Sequence, residues 1–169
     1  IRLLVLEGDR RGHDQVAIVA FNDRAWPVAV LTRDEAMAQG SLDGLEAEIR
    51  EGTRIDLALD EAGRALGSSR RDPDRVVAVV LLTDGRPNRV PTPVPSGGQE
   101  QTVLGAADRL KEAGVRIYTI GLGEPEEVWS WLMERIASRP AFYHYSLAGE
   151  DLADIYREIL GGILCGREG

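Results

Sequence analysis

A doubly wound α/β fold is the architecture this sequence predicts: a mostly parallel sheet, helices on both faces and one antiparallel edge strand. Three observations lead there. From Thr53 onward helical and strand patterns alternate, an order that specifies a parallel sheet covered on both sides. Val76–Leu82 is an unbroken apolar run rich in Val, the mark of a strand buried on both faces. Gln15–Phe21 and Trp26–Leu31 stand too close together for a parallel crossover, so they pair as an antiparallel hairpin.

Taken in order, the chain opens with Ile1–Leu6, an apolar hexapeptide whose pattern fits a strand or the last turns of a helix. Glu7–Gly12 reads as a loop. Pro27 removes a ladder hydrogen bond from the strand Trp26–Leu31 and places it at a sheet edge. Thr32 or Asp34 caps a short helix, Glu35–Ala38, and Ser41 or Asp43 starts another that runs to Ile49. Ile55, Ala58, Leu59, Ala62 and Leu66 recur at helical spacing as one buried face, which Gly67-Ser68-Ser69 stops. Asp72-Pro73-Asp74 turns the chain into Val76–Leu82. Pro91, Pro93 and Pro95, followed by Gly97-Gly98, exclude helix and central strand, so Pro91–Gln101 is an exposed loop. Val103, Ala106, Ala107 and Leu110 form a helix face closed by Gly114 in a left-handed cap. Val115–Ile120 is a strand, Val128–Ala137 a helix with Trp129, Leu132, Met133 and Ile136 as its buried stripe, and Phe142–Tyr145 a last short strand. Leu152, Ile155, Tyr156, Ile159 and Ile163 mark a closing amphipathic helix.

At 169 residues, 43% hydrophobic and 28% charged, the chain has the make-up of one ordinary globular domain, spanning 1–169. A net charge of −8 argues against nucleic acid or an anionic membrane surface and suits a cation or a cationic partner. No apolar run approaches the roughly 20 residues that span a bilayer, and no signal peptide is visible. The first residue is Ile, so the native start is expected upstream. Cys165 is the single cysteine, which excludes an internal disulfide and a cysteine-built metal site; with no histidine near it, it reads as a bystander. Compartment stays open.

Several chemistries fail on their motifs. No G-x-G-x-x-G follows a strand, and Gly121-Leu122-Gly123 runs into Glu124-Pro125, putting negative charge where a pyrophosphate would sit. No phosphate-binding G-x-x-x-x-G-K-[ST] loop and no G-x-S-x-G elbow occurs. His13 and His144 are not at metal-ligand spacing, and His144, between Tyr143 and Tyr145, reads as structural or exposed. What remains is a site for a hard cation, which prefers oxygen ligands. Asp84 falls at the carboxyl end of a buried strand, where open α/β sheets bind ligands, although Asp84-Gly85 is equally a common turn. Thr53, in a Gly-Thr turn before a helix, offers a hydroxyl, although its type and position also satisfy a plain N-cap.

Five stretches in order then resemble the von Willebrand factor A domain. Asp14–Phe21 is similar to its D-x-V-x-x-V-x-F strand, and Pro27–Thr32 with Asp34 to the strand and turn that follow. Glu51-Gly52-Thr53-Arg54-Ile55 matches G-G-T-x-[IL] with Glu51 in place of the first Gly. Val79–Gly85 matches V-x-L-L-T-D-G, and Ala113–Gly123 matches A-G-[IV]-x-[IV]-x-x-I-G-[IV]-G. The resemblance implies a three-layer, Rossmann-like fold and a metal-ion-dependent adhesion site built from a D-x-S-x-S loop, a Thr and an Asp. It places Thr53 and Asp84 on the last two, and D-x-S-x-S occurs nowhere in the chain. Aligned on the second strand, the chain starts within the family's first helix, so Ile1–Leu6 becomes that helix's end and the domain is N-terminally incomplete. Its central strand is then expected from upstream residues, another chain or a rearranged pairing, because unpaired buried backbone groups cost about 1–3 kcal/mol each.

The function so implied is a protein-binding, adhesion-type module rather than an enzyme. It uses Mg²⁺ or Mn²⁺ at Thr53 and Asp84 to accept a carboxylate from a protein partner. Gly52, Gly85 and Arg86, with the Pro91–Gln101 loop, are the expected partner contacts, and family analogy favours a place outside the cytoplasm. Two alternatives stand beside it. One is a Mg²⁺-dependent phosphoryl-transfer hydrolase with Asp84 at the strand end, although the acid/base carboxylate expected two residues on is replaced by Arg86. The other is a scaffold with a degenerate, metal-free site.

Overall fold

The computed structural model of the chain describes residues 2–8, 14–43, 52–69, 76–88 and 98–165. Its strands are β1 (Arg2–Gly8), β2 (Gln15–Phe21), β3 (Ala25–Thr32), β4 (Val76–Thr83), β5 (Arg116–Leu122) and β6 (Tyr143–Ser146). Its helices are α1 (Glu35–Asp43), α2 (Ile55–Leu66), α3 (Gly98–Glu112), α4 (Ser130–Ile136) and α5 (Leu152–Cys165), with a 3₁₀ turn at Pro140–Phe142.

All six strands join one sheet in the order β3-β2-β1-β4-β5-β6. β2, β4, β5 and β6 run one way, while β1 and β3 run the other. β3 is the edge strand that Pro27 requires, and the ladder is irregular beside it, where Val19 faces Pro27. Alternation along β4 sends Val77, Val79 and Leu81 to one face and Ala78 and Val80 to the other, all at most 4% exposed. The first face packs on α2, α3 and α4 through Ile55, Leu59, Leu110, Leu132 and Ile136; the second packs on α5 through Ile155, Ile159 and Ile163. Ala38 of α1 covers Ile18 and Ala29. Burying each large aliphatic side chain contributes about 1.5–3 kcal/mol, so a strand covered on both faces is the anchor of the sheet.

The start of the chain departs from expectation. Arg2–Gly8 is a strand, not the end of a helix, and it fills the central position itself. It runs antiparallel to both neighbours, with Leu4 facing Ile18 on one side and Val80 on the other. The pairing is therefore rearranged, with the chain's own residues in the central position. The physical reason is the cost of two facing rows of unpaired donors and acceptors, which any apolar, extensible segment within reach relieves.

Other boundaries shift. The first helix is continuous from Glu35 to Asp43, and the helix expected to reach Ile49 lies from residue 44 on outside the described residues. Of the Pro91–Gln101 loop, residues 91–97 lie outside them too, while Gly98–Gln101 is already the first turn of α3. His13 and the turn at residues 72–74 are likewise not described. The helix expected over Val128–Ala137 begins only at Ser130; Trp129 precedes it with φ 48° and ψ 63°, a left-handed conformation that is strained for a bulky residue.

Candidate functional site

Because β2, β4, β5 and β6 share a direction, their carboxyl ends meet at one edge of the sheet. Thr83, Asp84, Asn22 and Gly123 all emerge there. β1 points the opposite way and ends with Gly8 facing Val76, at the far edge.

The turn after β4 is closed by Thr83, whose hydroxyl donates to the Gly85 carbonyl at 2.9 Å and accepts the Gly85 N–H at 3.3 Å. Asp84-Gly85 is thus a turn in its own right, and the turn presents Asp84 to solvent. Thr53 is brought alongside from the loop before α2. It is 6% exposed. Its N–H donates to Asn88 Oδ1 at 2.9 Å, and its Oγ1 lies 3.5 Å from where a Cβ on Gly85 would stand. Gly52 adopts φ 132°, which a side chain rarely tolerates, and so lets the chain turn sharply into Thr53. Next in sequence, the Arg54 N–H donates to the Asn22 carbonyl at 2.7 Å, tying this loop to the end of β2.

α2 takes its N-cap at Arg54 with no side-chain cap hydrogen bond, so the cap reading of Thr53 does not hold. Arg54 instead grips Asp56 by two bonds, Nε–Oδ1 at 2.8 Å and Nη2–Oδ2 at 2.7 Å. The hydrogen bond to Asp56 raises the guanidinium pKa above its ordinary value, against the opposing effect of burial. Arg86 is exposed, and its guanidinium lies over the Trp129 ring, 5.9 Å from the centroid.

Thr53, Asp84, Gly52, Gly85 and Arg86 therefore all gather on one edge. Sequence reading missed Asn22, Asp23 and Asn88. Asp23 carries a buried Oδ1 without a hydrogen-bond partner, an uncommon and costly state. The signal is thin: Asn22-Asp23 directly follows the apolar run Gln15–Phe21 and has the composition of an ordinary strand stop.

The hydroxyl of Thr53 and the carboxylate of Asp84 fit a hard divalent cation by donor type. By number the set is short. Among the described residues no group of three or more His, Cys, Asp or Glu side chains stands close enough to hold a metal. No helix among them is long and apolar enough to cross a membrane.

Comparison with known proteins bears on the whole edge. The family model for the von Willebrand factor type A domain matches residues 3–158. No curated protein matches the chain in sequence. Among solved structures, the chain superposes on the vWF domain of the type V pili tip protein Mfa5 from Porphyromonas gingivalis with a TM-score of 0.73 at 13% identity, covering 92% of this chain and 81% of that one. It superposes on proximal thread matrix protein 1 from the mussel byssus with a TM-score of 0.67 at 23% identity, over 87% of this chain and 34% of the mussel chain. The manganese-loaded TRAP protein of Plasmodium vivax gives a TM-score of 0.56 at 25% identity, over 76% and 51%. A further structure of the mussel protein has zinc in its metal-ion-dependent adhesion site. The chain thus spans about a third of the mussel protein's length.

Proposed function

The chain belongs to the von Willebrand factor type A domain family, and from that premise we propose that it is a protein-binding module of the adhesion type. Its divalent cation, Mg²⁺ or Mn²⁺, would be held by Thr53 and Asp84. The observation that carries this reading is the meeting of two loops distant in sequence, with Thr53 Oγ1 against Gly85 and the Thr53 amide on Asn88. The similar proteins point the same way: a matrix protein of a byssal thread, a pilus tip protein, and structures loaded with zinc or manganese.

When bound, the cation supplies an open coordination position that a partner's carboxylate completes. The chain's own residues do the rest. Gly52 and Gly85 keep the approach free of side chains, Asn88 holds the Thr53 loop, and Arg86 adds a positive charge two residues from Asp84. Residues 1–169 then act as one domain whose ligand set is completed by groups outside this two-residue pair. Asp23, with its unpartnered oxygen just after β2 at the same edge, is a candidate for that set.

A metal-free scaffold is the second reading, and the shortage of acidic ligands among the described residues favours it. The phosphoryl-transfer alternative gains nothing, since the position that needs an acid is Arg86, engaged with Trp129. Titrating Mn²⁺ and following its free-ion spin resonance signal separates the two live readings. Saturable binding that Asp84→Ala abolishes and Thr53→Ala weakens supports the adhesion site. Absence of saturable binding, or binding that Asp84→Ala leaves intact, leaves the scaffold.

A further inference from the structure

The edge that holds Thr53 and Asp84 carries a second feature, in the loop after β5. Pro125, Glu126, Trp129, Ser130 and Trp131 line an open notch of about 400 Å³. Trp131 is 43% exposed although it is one of the largest apolar side chains in the molecule. It stacks on Trp129 with ring centroids 5.9 Å apart, and Trp129 in turn lies under Arg86. The walls are fixed from behind. Val128 is fully buried, the Ser130 hydroxyl donates to the Pro125 carbonyl at 3.2 Å, and Tyr143 donates to Ser130 Oγ at 2.7 Å.

Apart from Arg86, which is engaged with Trp129, the charges flanking the notch are acidic. Glu124, Glu126 and Glu127 are all exposed, and none forms an ion pair with a described residue. An indole face beside an unpaired carboxylate attracts a flat cation, the guanidinium above all, because it stacks on the ring while donating to the acid. The chain shows this chemistry internally in Arg86 over Trp129, and Trp131, stacked on the same ring, offers a second indole.

We propose that the Trp131–Glu126 notch is a docking site for an arginine side chain of a protein partner. The site is opposite in charge preference to the strand-end pair and needs no metal. The occupant follows from charge complementarity: an acidic, aromatic-walled recess on a chain of net charge −8.

The test uses the peptide acetyl-Gly-Arg-Gly-amide, titrated in EDTA against the whole chain while the indole N–H signals of Trp129 and Trp131 are followed by NMR. The citrulline peptide serves as the uncharged isostere. Saturable shifts centred on Trp131 are expected with the arginine peptide and weaker binding with citrulline. Trp131→Ala should weaken the arginine peptide about fivefold and Glu126→Gln about threefold. Both positions face solvent, and unchanged spectra elsewhere would show that the variants fold. Equal binding of the citrulline peptide, no saturation, or indifference to both substitutions overturns the proposal. Since EDTA is present throughout, none of these outcomes touches the metal reading, whose own test is the Mn²⁺ titration.

Discussion

The amide of Thr53 and the side chain of Asn88 meet across 2.9 Å, and that one bond links the loop before α2 to the loop after β4. Removing the acceptor with Asn88→Ala is expected to lower stability by about 1 kcal/mol. Asn88→Asp keeps an acceptor oxygen and should recover most of the loss. Urea unfolding of the three proteins measures this, and equal midpoints for wild type and Asn88→Ala would show that the bond holds nothing in place.

Gly121 illustrates a different constraint. A Cβ there would stand 2.9 Å from Cγ2 of Val128, a fully buried side chain, and 3.3 Å from Tyr143 Oη. Gly121→Ala should therefore destabilise the fold by about 1–3 kcal/mol. Gly161, within α5, has nothing within 4 Å of the same position. Gly161→Ala should raise stability by about 0.5–1 kcal/mol, because alanine loses less backbone freedom in a helix. Thermal melts of the pair with opposite signs are the expected outcome.

Asp56 and Arg54 form an ion pair whose side chains are 8% and 14% exposed. Asp56→Ala leaves the guanidinium partly buried without its counter-charge, at a cost of about 3 kcal/mol. Replacing both partners, with Arg54→Met and Asp56→Leu together, should cost less than Asp56→Ala alone. A double-substitution cycle read by chemical denaturation decides it.

His144 makes stability depend on pH. Burial lowers its imidazole pKa from the ordinary 6.5, with Glu158 partly opposing the shift. The unfolded chain therefore takes up the proton first. This contribution is fully present above the unfolded value of 6.5 and is lost as the pH falls through it towards the lower folded value. His144→Gln should reduce the drop in melting temperature between about pH 7.5 and 5.5. An unchanged pH profile would place the sensitivity in the carboxylates instead.

Much of this was legible in local pattern. The run Val76–Leu82 reads as a buried strand because it is short, rich in Val and closed by turn residues. Ile55, Ala58, Leu59, Ala62 and Leu66 are buried as their spacing requires. Gly121 and Gly123 were legible as a pattern only. The structure supplies two separate reasons for them, crowding against Val128 at the first and φ 117° at the second. Trp129 misled because its spacing fits a helical stripe while the backbone turns left-handed just before the helix starts. Asn88 was illegible: it sits 35 positions from its partner, and no periodicity records such a bond. The direction of β1 was illegible for the same reason, since a short, mostly apolar segment pairs equally well either way round and the neighbours decide.

The antiparallel placement of β1 has a consequence for the order of assembly. β1, β2 and β3 are consecutive in the chain and adjacent in the sheet, so they form a meander whose contacts are short in range. β4 reaches β1 only after α1 and α2 have been traversed, and β5 and β6 join by crossovers through α3 and α4. Local hairpins close in microseconds, whereas distant parallel pairing must first meet the entropy of a long loop. The N-terminal meander is therefore expected to act as the template on which the parallel half condenses. Pulse-labelled hydrogen exchange should find β2 amides protected before those of β5; the reverse order would mean that the central strand is the last to be seated.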